Sequence, residues 1–189
     1  NDSSTISFNE LKKMSMLGLD NNQTNIKGYD DMENIIKASQ KDTTIQGGDL
    51  KDTIYGGQNN DIINANDGND TVYGNGGDDI IYGGSGDDIL YGNEGNDTIS
   101  DFEGNNKIFG GDGDDIITSI GTIYGDSGND TIKTFTNNYN DDKVNTIYGG
   151  TGNDTLNGGA GSDIYMFNSN DGADIITDDG GDNTVKFTD

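Results

Sequence analysis

Neither cysteine nor histidine occurs anywhere in the chain, and all ten basic residues are lysine. Without them, Ser-His-Asp and Cys-His nucleophilic arrangements and HExxH zinc sites are excluded. Disulfides are excluded as well, which suits an extracellular protein that holds together by other means. Neither a Gly-x-Ser-x-Gly elbow nor a Gly-x-x-x-x-Gly-Lys-Ser/Thr loop is present. Apolar residues are scarce too, at 29% of the chain, and no run of them is long enough to span a bilayer. The formal net charge of −25 argues against nucleic acid or an anionic membrane as a direct partner. So little apolar material under so much charge ordinarily leaves a chain disordered. The sequence starts at Asn1 without an N-terminal signal peptide and reads as an excised fragment of one or two domains.

What is abundant is glycine, 31 residues of it, and its placement is periodic. Gly74–Tyr82 and Gly83–Tyr91 are consecutive copies of a nine-residue unit. Glycines favour positions one, two and four, Asp stands at six, and an aliphatic residue at eight. Glycine reaches positive φ cheaply, so the first half turns tightly and points backbone carbonyls inward. The Asp adds a hard anionic oxygen, and a donor set of carbonyls and carboxylates suits Ca²⁺ rather than Zn²⁺ or copper. The triplet that follows has strand character, with position eight facing opposite to seven and nine. A flexible Gly/Asp linker would not keep position eight apolar in copy after copy.

The unit is similar to the Gly-Gly-x-Gly-x-Asp-x-U-x nonapeptide of the RTX (repeats-in-toxin, haemolysin-type) calcium-binding family. Gly83–Tyr91, Gly110–Thr118, Gly149–Asn157 and Gly158–Met166 match all five marked positions, with Tyr165 standing in for the aliphatic residue. Looser copies carry the resemblance over roughly residues 47 to 186. It implies an all-β fold, a right-handed parallel β-roll or two-sheet solenoid, in which each turn takes two units and eighteen residues.

In chain order, Ser7-Phe-Asn-Glu10 matches a capping box, and Phe8, Leu11, Met14 and Leu17 follow at three-residue steps before Gly18. This predicts a short helix over about 8–17, within an N-terminal cap of residues 1–28 that covers the open end of a repeat stack over 29–189. Asn25-Ile-Lys27, Asn34-Ile-Ile-Lys37 and Thr44-Ile-Gln46 read as worn, metal-free opening turns. From Gly47 the units start at 47, 56, 65, 74, 83, 92, 101 and 110. Leu50 and Asn59 stand where glycine is expected, and Leu50 is a poor candidate for positive φ, so the first site is distorted or absent. Phe135–Lys143 reads as a surface loop, and Phe167 to Asp189 as closing turns of the same roll.

Threaded on the implied roll, the loops fall into two columns with calcium between neighbouring loops of one column. One column holds Asp61, Asp79, Asp97, Asp115, Asp130, Asp154 and Asp174. The other holds Asp52, Asp70, Asp88 and Asn106, and resumes with Asp163 and Asn183 after the shortened unit Ser119–Tyr124 and an insertion around Thr134–Thr146. The resemblance adds backbone carbonyls of Gly56, Gly74, Gly76, Gly83, Ser85, Gly92, Gly110, Asp112, Gly125, Gly149 and Gly158 as ligands. Adjacent Asp pairs give about eight calcium ions, which would bring the net charge from −25 to −9. The position-five acids Asp78, Asp87 and Asp114 read as solvated charges.

Position nine carries a second pattern. On strands after the interrupted column it reads Tyr55, Tyr73, Tyr91, Phe109, Tyr124, Tyr148 and Met166; on the opposite sheet it is mostly polar. The aromatic row predicts a ladder of in-register rings that stabilises its sheet, or a docking face for a protein segment or a carbohydrate ring. No catalytic constellation emerges. The resemblance implies a secreted, calcium-folded block of a Gram-negative bacterium, exported by type I machinery. An adhesive or spacer module of a large surface protein, and the non-catalytic tail of an enzyme, both stay open.

Overall fold

The computed structural model describes residues 14–17, 24–38, 40–134 and 143–188, and among them every regular element is a strand. Seventeen strands, β1 (Met14–Leu17) to β17 (Thr184–Thr188), follow one another, and every pairing is parallel. Outside the long strands β10 (Thr98–Asp112) and β11 (Ile116–Ser127), each strand pairs with the strand two positions along rather than with its sequence neighbour, as β5 (Thr53–Tyr55) does with β7 (Thr71–Gly76), and β4 (Thr44–Gln46) with β6 (Ile62–Asp67). Tyr55 faces Tyr73 and Asn64 faces Tyr82, eighteen residues on in both sheets. The result is a parallel β-solenoid of about nine turns, as the repeat predicts. Two long strands, β10 (Thr98–Asp112) and β11 (Ile116–Ser127), run through the interrupted column and serve both sheets. Their register shifts between Asp101 and Asn106.

Position eight builds the core. Ile36, Ile54, Val72, Leu90, Ile108, Ile123 and Ile147 from one sheet meet Ile45, Ile63, Ile81, Ile99, Ile117, Ile132 and Leu156 from the other, all at most 1% exposed. The short triplets bury in the pattern their two-residue period demands: the middle residue inward, its neighbours outward. One aliphatic side chain per nine residues makes a thin interior, hence the low apolar content.

The opening turns pair as expected, β2 (Asn25–Lys27) with β4 and β3 (Glu33–Lys37) with β5. The helix expected over 8–17 requires correction at its end. Met14–Leu17 is a strand that pairs with Glu33–Ile36, so the unpaired edge of β3 takes backbone hydrogen bonds there instead of a helical lid. Residues 8–13 lie outside the described residues. Strands β1 and β2 both fall inside the stretch assigned to the cap, so the roll reaches back to Met14. Residues 135–142 of the expected surface loop also lie outside the described residues. At the other end, in β16 (Ile175–Thr177) and β17, Ile176 and Val185 of the inward register are exposed.

Candidate metal centre

Backbone and carboxylates join the loops into two rows. The N–H of each position-six residue donates to Oδ1 of the position-six side chain one turn later. In the first row, Asp61 donates to Asp79, Asp79 to Asp97 and Asp97 to Asp115, each at 2.7 Å. Asp115 continues to Asp130, Asp130 to Asp154 and Asp154 to Asp174, at 2.8 to 2.9 Å. The second row runs from Asn34 to Asp52, Asp70, Asp88 and Asn106. It resumes from Gly121 to Asn145, then Asp163 and Asn183. Both rows therefore follow the threading derived from the repeat. A shortened step from 115 to 130 and a lengthened one from 130 to 154 leave the first row unbroken. Asn34 and Asn145 were missed as row members because neither has the glycines before it that mark the unit.

The second carboxylate oxygen tells the rest. Asp79, Asp97, Asp115, Asp130 and Asp154 of one row, and Asp70, Asp88 and Asp163 of the other, are at most 1% exposed. Yet Oδ2 of each has no hydrogen-bond partner. A buried polar atom without a partner is costly, and so many in register require a common explanation. Apart from Asp70, whose loop opens with Ala65, each points at the glycine at position one of its own loop: a Cβ built on Gly92 would meet Asp97 Oδ2 at 2.2 Å and the carbonyl oxygen of Gly110, one turn on, at 2.4 Å. Gly74, Gly110 and Gly125 sit in the same relation to Asp79, Asp115 and Asp130, and to the carbonyls of Gly92, Gly125 and Gly149. Position one is thus glycine for space, whereas position four is glycine for backbone shape, as at Gly113 with φ +130°. Carboxylate and carbonyl oxygens converging on a cradle without side chains suit a hard divalent cation, and the donor set holds nothing softer.

Electrostatics point the same way. Burial, the largest cause, pushes Asp70 and Asp115 up to about 8, Asp79 and Asp130 to about 7, and Asp97 and Asp154 to about 6. Backbone N–H donors pull each one back, and neighbouring carboxylates add to the rise. A cation in the row removes that penalty.

The remaining expected ligands divide. Asp52 and Asp61 are buried, but Oδ2 of each already accepts an N–H from its own loop, Gly48 and Gly57 respectively, at 2.6 Å. These are the loops with Leu50 and Asn59 at position four, and neither residue has positive φ. Without that turn the loop closes on its own Asp. Asp174 is half-buried in the last turn of its row. Gly56 and Gly83 head their loops, and a Cβ on Gly56 would meet the Gly74 carbonyl at 2.4 Å. The carbonyls of Ser85 and Asp112 accept the N–H groups of Gly68 and Gly95, which leaves one lone pair on each. The Gly158 carbonyl accepts from the Thr134 hydroxyl, and Gly76 donates its N–H to the Gly57 carbonyl. Among the described residues no three acidic side chains gather at one point, because each loop contributes one carboxylate and otherwise backbone.

At position five the solvated reading holds and a ladder is added to it. Asp78, Asp87 and Asp114 are exposed but engaged. In the first row Asn60 accepts from the N–H of Asp78, Asp78 from Asn96, Asn96 from Asp114, Asp114 from Asn129 and Asn129 from Asn153. Asn69, Asp87 and Asn105 do the same in the other row. This ladder runs opposite to that of position six: here the later turn donates. The cue lay in Asn and Asp recurring every eighteen residues, which reads as ordinary polar surface when each loop is considered alone.

The aromatic row forms as a stack. Tyr55, Tyr73, Tyr91, Phe109, Tyr124 and Tyr148 lie 4.4 to 5.0 Å apart between ring centres, with planes within 14° of parallel. Lys37 and Lys107 place their ammonium groups 4.8 Å and 5.0 Å from the Tyr55 and Phe109 rings.

No helix among the described residues is long and apolar enough to cross a membrane. No curated protein matches the chain. The profile of the RTX calcium-binding nonapeptide repeat matches residues 38–72, 46–81, 64–99, 91–119, 122–134 and 139–169, together well over half of the sequence. The rows of buried Asp and the cradles opposite them fall inside those matches, and the chain belongs to the RTX calcium-binding nonapeptide repeat family, whose repeats bind calcium.

Proposed function

We propose that this block is a calcium-triggered folding unit of a secreted bacterial protein, unfolded during type I export and folded outside the cell. The observation that carries the reading is the register of unpartnered, buried Oδ2 atoms along both rows. With no cation, stacked carboxylates repel and a single aliphatic residue per nine cannot offset the entropy of ordering the chain. Binding to the folded form alone converts binding energy into folding energy. Asp79, Asp97, Asp115, Asp130, Asp154, Asp70, Asp88 and Asp163 would supply the carboxylates, and the carbonyls of Gly74, Gly92, Gly110, Gly125 and Gly149 the neutral oxygens. About eight ions would lower the net charge from −25 to −9. Extracellular calcium modules bind at roughly 10⁻⁴–10⁻³ M, far above cytosolic calcium, which supports folding on the outside. The block has no catalytic step in this reading.

Limited proteolysis across a calcium series tests it. Complete digestion at submicromolar calcium and a protected fragment at millimolar calcium are expected; equal protection at both ends would overturn the reading. The stacked aromatic face favours a second role for the same block, as a rigid adhesive module that docks a protein segment or a flat sugar ring. If Tyr73→Ser with Tyr91→Ser leaves binding and self-association unchanged, that role is removed.

A further inference from the structure

Asp101 stands at position one of its unit, the place that glycine holds in most other loops, and Asn106 stands at position six, where most loops carry the carboxylate. The acid has moved five residues along the loop. Its side chain is 1% exposed, as is that of Asp88 one turn earlier, and Oδ2 of neither has a hydrogen-bond partner. The two oxygens converge. A Cβ built on Gly83 would lie 2.1 Å from Asp101 Oδ2 and 2.8 Å from Asp88 Oδ2. At Gly56, Gly74, Gly92 and Gly110 the corresponding neighbour from the next turn is a position-one carbonyl oxygen, at 2.4 to 2.6 Å. The Asp101 carboxylate therefore reaches the place that backbone carbonyls occupy in the regular row.

The last turn provides an internal comparison. Asp178 and Asn183 repeat the same exchange, but there Oδ2 of Asp178 accepts the hydroxyl of Tyr165, which also receives the Gly158 N–H. A donor has been built in where the carboxylate was moved. At Asp101 Oδ2 has no such donor: Oδ1 accepts a long 3.4 Å contact from the Glu103 N–H, and Asn106, which also interacts with the Asp101 carboxylate, turns its amide to the Glu103 carbonyl at 2.8 Å.

We propose that Asp88 and Asp101 together hold a hard divalent cation, giving the interrupted row a site that the nine-residue pattern does not encode. The inference rests on the calcium reading above and adds one ion to the row that follows from consecutive position-six acids. Two carboxylates facing one point in a buried cradle require a positive charge between them, and calcium accepts carboxylate and carbonyl oxygens in irregular geometry. Asn106 then contributes no charge because Asp101 already does.

The test is an ion count on the full chain, by equilibrium dialysis against saturating calcium followed by metal analysis. D101N is expected to lose one ion and to keep the circular dichroism of the loaded protein. The double variant D101G/N106D, which returns the acid to position six, is expected to recover the original count. An unchanged count in D101N overturns the proposal while leaving calcium binding elsewhere intact; a wild-type chain that binds no calcium sinks the broader reading and this one with it. If D101N fails to fold in calcium, infrared spectroscopy of the loaded wild type decides. No protonated carboxyl band is expected, and a persistent one means that the pair shares a proton instead.

Discussion

Asn96 and Asp97 are neighbours with separate duties, and they can be told apart by experiment. The Asn96 side chain links its loop to Asp114 at an exposed position, whereas Asp97 is buried with one oxygen on Asp79 and the other unpartnered. Asn96→Ala is expected to cost about 1 kcal/mol of stability in calcium and no bound ion. Asp97→Asn is expected to lower the calcium count and raise the calcium concentration needed for folding; equal behaviour of the two variants in metal analysis would contradict this division. The buried acids of the two rows set the response to pH. Their folded values of about 6 to 8, for Asp97 and Asp154 up to Asp70 and Asp115, stand above the ordinary 3.8. The metal-free fold is therefore favoured by protonation: the contribution is complete below 3.8 and is lost as pH rises through 6 to 8. In chelator, the β signal in circular dichroism should fall as pH is raised from 5 to 8. With calcium in excess the carboxylates stay ionised, and that fall should vanish. At this scale the sequence was legible wherever a residue's type is dictated by one neighbour, as with Gly92 against Asp97. It was not legible at Asp101, whose role depends on a side chain a full turn away, nor at Asn96, which any polar surface would tolerate.

Among the elements, the two sheets share a backbone plan and differ in what covers them. Tyr91 stacks on Tyr73 at 4.9 Å and on Phe109 at 4.8 Å, so Tyr91→Ser removes two ring contacts from the middle of the ladder. A loss of about 1–3 kcal/mol is expected, read from denaturant melts at saturating calcium. Tyr82→Ser, between Asn64 and Ser100 on the opposite sheet, should cost clearly less; a comparable loss would show that ring area rather than stacking is responsible. The strands were readable because position eight stays apolar through Ile54, Val72, Leu90 and Ile108, a period that only this wrapping turns into one buried line. Met14–Leu17 was misread because three-residue spacing over four apolar positions suits a helix, while the deciding fact is non-local: β3 offers an unpaired edge. β10 and β11 are long for a related reason, since their pairing runs on to Asp101 and Ser119 at the corner and resumes, after a register shift, at Asn106 and Gly121.

For the molecule as a whole, the balance lies between a thin core and a thick charge. Among the described residues seventeen strands enclose mostly one line of Ile, Leu and Val from each sheet, and the column edges carry rows of buried acids, while the Lys27–Asp30 ion pair lies on the surface. We propose that divalent cations, held by the Asp rows and the opposing carbonyls, make this arrangement stable. Far-UV circular dichroism of the chelated chain at neutral pH, followed during a calcium titration with magnesium as control, tests it most directly. A disordered spectrum that converts cooperatively to β structure in calcium, at roughly 10⁻⁴–10⁻³ M, and not in magnesium at the same concentration is the predicted result. A β spectrum that is complete after exhaustive chelation, and unmoved by calcium, would contradict it.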